Sequence, residues 1–97
     1  KFSVIFYMSV AAVKIKIMPD SPKTDMAKME KDAKAILEKN GVKNPKFEIE
    51  LIAFGLKALV VMFGWPEEKA LEELEEKLKK IKDVSSVQVI DIRRAIG

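Results

Sequence analysis

The sequence predicts an α+β sandwich, a four-stranded antiparallel sheet of order 4-1-3-2 with two helices on one face. Two observations predict it. Along the 97 residues the apolar pattern changes between the two-residue period of strands and the helical period, giving strand, helix, strand, strand, helix, strand. At the centre of that series lies one tight connection, Ile52-Ala53-Phe54-Gly55-Leu56-Lys57-Ala58-Leu59, between an alternating strand and a nearly continuous apolar one. Right-handed crossovers in both βαβ units then put the first and third strands in the middle of the sheet, a ferredoxin-like βαββαβ arrangement.

The first core strand spans Ser9 to Met18. Val13, Ile15 and Ile17 share one face and Ala12, Lys14 and Lys16 the other. The run Phe2 to Val13 is uncharged and mostly apolar but too short to cross a bilayer, which takes roughly 20 residues. A strand running from Phe2 to Met18 would be about 55 Å long at roughly 3.3 Å per residue, so a break near Met8 is expected. Residues 1–7 are therefore read as a leader or added extension and residues 8–97 as the folded domain. The alternative is an extra strand in residues 1–7 that pairs at a sheet edge or with another chain, giving self-association.

Met18-Pro19-Asp20-Ser21-Pro22 stops the first strand, because each proline lacks a ladder donor and restricts the residue before it. Thr24 or Asp25 caps the first helix. Its buried stripe is Met26, Met29, Ala33, Ile36, Leu37 and Asn40, and Asn40-Gly41 ends it. Methionines at this spacing serve packing more readily than a partner groove. Lys46 to Leu51 alternates, with Phe47, Ile49 and Leu51 inward and a charged opposite face that suits an edge strand. Ala58 to Phe63 lacks polar alternation and reads as a central strand. Gly64-Trp65-Pro66 turns into the second helix, with the proline in its first turn. Leu71, Leu74, Leu78 and Ile81 form that helix's buried stripe, and Glu73/Lys77, Glu75/Lys79 and Glu76/Lys80 pair on its water side. Val84 to Ile92 is the last strand.

Composition restricts the chemistry. The chain has no cysteine and no histidine, which removes disulfides, thiolate nucleophiles and the commonest general base and metal ligand. A net charge of +3 is too mild to indicate a nucleic-acid binder by itself. No glycine-rich phosphate loop is present. RNA recognition by this fold needs aromatics on the open faces of the central strands, and the first strand offers Ala12, Lys14 and Lys16 instead. Glu48 and Glu50 lie two apart on an exposed strand face and read as edge protection. No metal site, cofactor or bond-making chemistry is expected. The corner is the feature left over. Gly55 supplies the positive φ of a short reversal, but the turn does not explain Phe54. Its ring either folds back onto the sheet edge or is offered to a partner.

Three segments carry a family resemblance: Lys16-Ile17-Met18-Pro19-Asp20-Ser21-Pro22, Ile52 to Leu59, and Val87-Gln88-Val89-Ile90-Asp91-Ile92-Arg93-Arg94. In this order and spacing they resemble archaeal translation elongation factor 1-beta from Met8 to Gly97. The resemblance implies a cytoplasmic guanine-nucleotide exchange factor for elongation factor 1-alpha, the GTPase that delivers aminoacyl-tRNA to the ribosome. It implies no membrane and no specific nucleic acid as partner. In eukaryotic relatives the aromatic of a Phe-Gly hairpin enters the GTPase, and the C-terminal end reaches towards its magnesium and phosphate site. The partner-binding residues so implied are Ile52, Phe54, Gly55, Lys57, Arg93 and Arg94. The eukaryotic pattern has a lysine near the end where this chain has Ala95-Ile96-Gly97 after two arginines, which leaves open whether Arg93 or Arg94 takes its place. The competing readings are a non-catalytic regulatory domain and an RNA-interacting one using Lys14, Lys16 and Lys57.

A chain beginning at Met8 is expected to keep its unfolding free energy in a denaturant melt. A loss beyond about 2 kcal/mol, the scale of burying one large apolar side chain, would place residues 1–7 in the core.

Overall fold

An apolar residue at every second position of two neighbouring strands builds the centre of the sheet. Strand β1 (Val10–Pro19) pairs antiparallel with β3 (Lys57–Pro66), setting Ala11 opposite Trp65, Val13 opposite Phe63, Ile15 opposite Val61 and Ile17 opposite Leu59. The computed structural model describes residues 10–94, so the expectations for residues 1–7 lie outside the described residues. Strand β2 (Lys46–Leu51) flanks β3 and β4 (Val84–Arg94) flanks β1, both antiparallel. The order β2-β3-β1-β4 is the predicted 4-1-3-2 read from the other edge.

The two helices cover one face. Asp25 caps α1 (Met26–Lys39) by accepting the Lys28 backbone N–H at 3.1 Å. Met29, Ala33 and Leu37 of α1 and Leu74 and Leu78 of α2 (Glu72–Lys79) complete a single cluster with the inward side chains of β1 and β3. The methionine stripe is packing. Asn40 then ties the helices together: its Nδ2 donates to the Ile36 carbonyl at 2.7 Å, and its Oδ1 accepts Lys77 Nζ at 3.0 Å. A lysine here also complements the negative end of the α1 dipole.

The face away from the helices has a small apolar patch of its own. Ala58 and Val60 of β3 point there by alternation and are nevertheless buried. Lys16 and Glu48 stand opposite Val60 on either side and Glu50 stands opposite Ala58. Lys16 Nζ meets Glu50 Oε1 at 2.9 Å, a pair that spans β3 and lays the lysine stem over the patch. The charges sit partly in water, so the pair itself is worth about 0–1 kcal/mol.

Four expectations change. First, β3 does not end before Gly64-Trp65-Pro66 but runs through it. Burial of Trp65 overrides the local turn signal: its ring stands edge-on to Phe63 at 6.0 Å, its Nε1–H donates to the Lys69 carbonyl at 3.1 Å, and Lys69 Nζ lies 4.6 Å from its ring centroid. Second, Pro66 is therefore the last residue of a strand rather than part of a helical first turn. A turn closed from Lys69 N–H to the Pro66 carbonyl follows, and α2 begins only at Glu72. Third, the helix ion pairs shift. Glu76 meets Lys79 at 3.4 Å, while Lys77 is taken by Asn40.

The fourth change concerns β2. Phe47 packs against the core cluster, but Ile49 is 46% exposed and Leu51 76%. Alternation set the correct face, yet the helix layer stops short of the strand's second half. Ile15→Ala is accordingly expected to cost roughly 2–5 kcal/mol in a urea melt. Leu51→Ala, on the same side of the sheet, should cost less than about 0.5 kcal/mol. Equal losses would show that Leu51 belongs to the core.

Candidate functional site

The corner between β2 and β3 is closed by two backbone bonds. Ile52 N–H donates to the Leu56 carbonyl at 2.8 Å, and Leu56 N–H donates to the Ala53 carbonyl at 3.3 Å. Both residues inside the smaller loop have positive φ, Phe54 at +62° (ψ +32°) and Gly55 at +78°. This is the geometry of a type I′ turn, whose twist matches that of the flanking strands and whose preferred residues are Asn-Gly or Gly-Gly. Gly55 obeys the rule. Phe54 breaks it, because a Cβ in the left-handed region costs roughly 1–2 kcal/mol.

No burial of the ring among the described residues offsets that cost. Phe54 is 94% exposed, so its ring does not fold back onto the sheet edge. Half-buried Ile52 and Leu56 anchor the stem on either side, and the position of a Gly55 Cβ would lie 3.9 Å from Pro22 Cβ. The corner thus rests on the β1–α1 connection while the ring points away from it. A large aromatic held in a strained conformation and left in solvent makes the corner the candidate contact surface of the domain. Lys57 is exposed at the foot of the corner, opposite Leu51.

The remaining sequence-derived candidates lie elsewhere. Arg93 and Arg94 belong to β4, opposite Ala12 and Ala11, whereas the corner adjoins the other end of β1, beyond the pairing of Ile17 with Leu59. At roughly 3.3 Å per residue the two groups are more than about 20 Å apart. Arg93 Nε donates to Asp91 Oδ2 at 3.0 Å and borders a shallow groove with Ala12, Lys14 and Met62 on the face opposite the helices. The structure therefore brings Ile52, Phe54, Gly55 and Lys57 together and sets Arg93 and Arg94 apart from them. Sequence reading missed Ile49 and Leu51 as exposed neighbours of the corner. Their alternation looks the same whether or not a helix covers them.

Other chemistries find little support. No aromatic side chain lies on the open face of β1 or β3, so there is no platform for stacking bases. Among the described residues no group of three or more acidic side chains could hold a metal ion, and no helix is long and apolar enough to cross a membrane.

Comparison with known proteins gives consistent matches. Residues 12–95 match the EF-1 guanine nucleotide exchange domain family. The chain is similar to proteins named elongation factor 1-beta from Methanosarcina acetivorans (40% identity over 88 residues) and Methanosarcina barkeri (39% over 88), in each case across 90% of this chain and 99% of the relative. The protein of that name from Methanocaldococcus jannaschii is 35% identical over 89 residues, covering 91% of this chain and all of the relative.

The backbone at position 54 makes a stability prediction independent of any partner. Phe54→Gly removes the left-handed strain and loses no buried contact, so it is expected to melt at or above the wild-type midpoint, with a gain of up to about 1 kcal/mol. Phe54→Ala should stay within about 1 kcal/mol of wild type. A loss of roughly 3–5 kcal/mol in either variant, the cost of truncating a core phenylalanine, would return the ring to the interior.

Proposed function

The chain belongs to the EF-1 guanine nucleotide exchange domain family, and on that premise we propose that it promotes GDP release from elongation factor 1-alpha during cytoplasmic protein synthesis. The observation that carries this reading to particular residues is Phe54, an exposed aromatic at a turn position where its own domain needs the left-handed backbone but not the ring. Exchange is a coupling free energy and not bond chemistry. A factor that binds the nucleotide-free GTPase more tightly than the loaded form weakens nucleotide binding by the same factor. Such work calls for rigid wedges and a cation rather than a histidine, a thiolate or a metal. The ring at the corner is the wedge. Its closed stem presents it on an ordered backbone, so docking costs the rotamer freedom of one side chain and little loop ordering.

The arginines supply the cation at the other end of the sheet. Placed so far from the corner, they address a separate part of the partner, and the rigid sheet between them fixes the spacing. Arg93 and Arg94 occupy neighbouring register positions and are not equivalent in a strand. One of them meets the region of the partner that binds phosphate, where a guanidinium forms charge-assisted hydrogen bonds.

The test is timed loss of labelled GDP from elongation factor 1-alpha with RNA as a competitor. Phe54→Ala is expected to weaken binding by about 2 kcal/mol or more and to slow release, although the variant melts normally. Arg93→Ala and Arg94→Ala should lower the exchange rate unequally, the larger loss shrinking as salt is raised. Wild-type release by Phe54→Ala would refute the wedge. Equal and negligible losses from both arginine variants at low salt would remove the tail from the phosphate region.

A further inference from the structure

Beyond the corner itself, β2 is an anomaly as an edge strand. Natural edges are kept from pairing by charge, and β2 carries Lys46, Glu48 and Glu50 on the face away from the helices. Its other face carries Phe47, Ile49 and Leu51, and exposure rises along that series from half-buried Phe47 to Leu51 at 76%. The two residues nearest the corner are thus the two that the helices leave bare. Leu51 stands opposite Lys57, the first strand residue after the turn, so it lies beside the loop that holds Phe54. Large apolar side chains at 49, 51 and 54 are exposed along this edge of the molecule, with Lys57 beside Leu51 on the same face at the foot of the corner.

We infer that Ile49 and Leu51 extend the GTPase-binding surface from Phe54 along the helix-side face of β2, as an apolar ridge that fits an apolar patch on the same partner. The inference rests on the proposed function, since it takes the GTPase as the occupant. Continuity selects that occupant: a surface that closes over a ring at position 54 also meets Leu51 at the base of the same hairpin. The division of labour is physical. Phe54 fills a pocket, while Leu51 and Ile49 exclude water around it, and the charged face of β2 stays solvated. Phe47, anchored in the core, fixes the inner end of the ridge and therefore its angle to the sheet.

The test uses the full chain with Leu51→Thr and Ile49→Thr, which put strand-favouring β-branched residues at both positions, and Leu51→Met as the conservative control. Each is measured for its melt, for affinity to nucleotide-free elongation factor 1-alpha, for GDP release and for its own association state by sedimentation. Leu51→Thr is expected to melt as wild type and to bind about tenfold more weakly or worse, the loss of one apolar anchor. Ile49→Thr should show a smaller loss, and Leu51→Met should bind as wild type. If Phe54→Ala impairs release while both threonine variants bind normally, the interface ends at the corner and the ridge is wrong, though the exchange reading stands. If Phe54→Ala is silent too, the wedge falls and the ridge that continues from it falls with it, while a wild-type chain that fails to speed GDP release would sink the exchange reading itself. A threonine variant that leaves GTPase binding intact but dissociates a dimer would identify the ridge as a contact between copies and overturn the proposal.

Discussion

The pairing of β1 with β3 is the constraint on which the rest of the molecule depends. These strands contribute the inner half of the core, and among the described residues each edge strand pairs with one of them. Ile15, Ile17, Leu59 and Val61 are fully buried because their register places them side by side under the helices. A one-residue slip would exchange these side chains for Lys14, Lys16, Val60 and Met62, and would put ammonium groups in the core. Hydrophobic burial thus sets the register, and the register in turn sets where every turn and strand end lies.

That dependence explains how a short domain can hold an unfavourable conformation at its tip. The corner inherits its closure from the register of β2 on β3, and closure over so few residues demands positive φ at both inner positions. Asparagine at position 54 would satisfy the turn more cheaply. Phenylalanine satisfies it at a cost that the pairing of ten-residue β3 with its neighbours readily covers. The result is an aromatic side chain whose point of departure from the corner is fixed by backbone geometry, without side-chain packing. The absence of histidine and cysteine is coherent with this economy, because coupling two binding equilibria requires shape and charge but no proton transfer.

The same register separates the two candidate partner elements. The arginines close β4 beside the start of β1, and the corner opens beside its end. A paired sheet holds these two candidate elements at a fixed separation. Between them, the face opposite the helices is sealed over Ala58 and Val60 by the Lys16–Glu50 pair, which makes a stacking surface for bases unavailable at the centre of the sheet.

Much of this was legible in the chain. Two-residue alternation in Val13, Ile15 and Ile17 and helical spacing in Met29, Ala33 and Leu37 follow from backbone geometry alone. They gave the element order, the strand order and the buried face. The Phe-Gly pair and the arginine-ended last strand pointed to the family before any fold was known. What the sequence did not contain was the extent of each layer. Alternation tells which way Ile49 and Leu51 face but not whether a helix reaches them. Glycine and proline around Trp65 signal a turn that burial of the indole overrides. A left-handed backbone at Phe54 is visible only once hairpin closure leaves it no other choice. Each of these is decided by contacts between residues far apart in the chain, and local pattern carries no record of them.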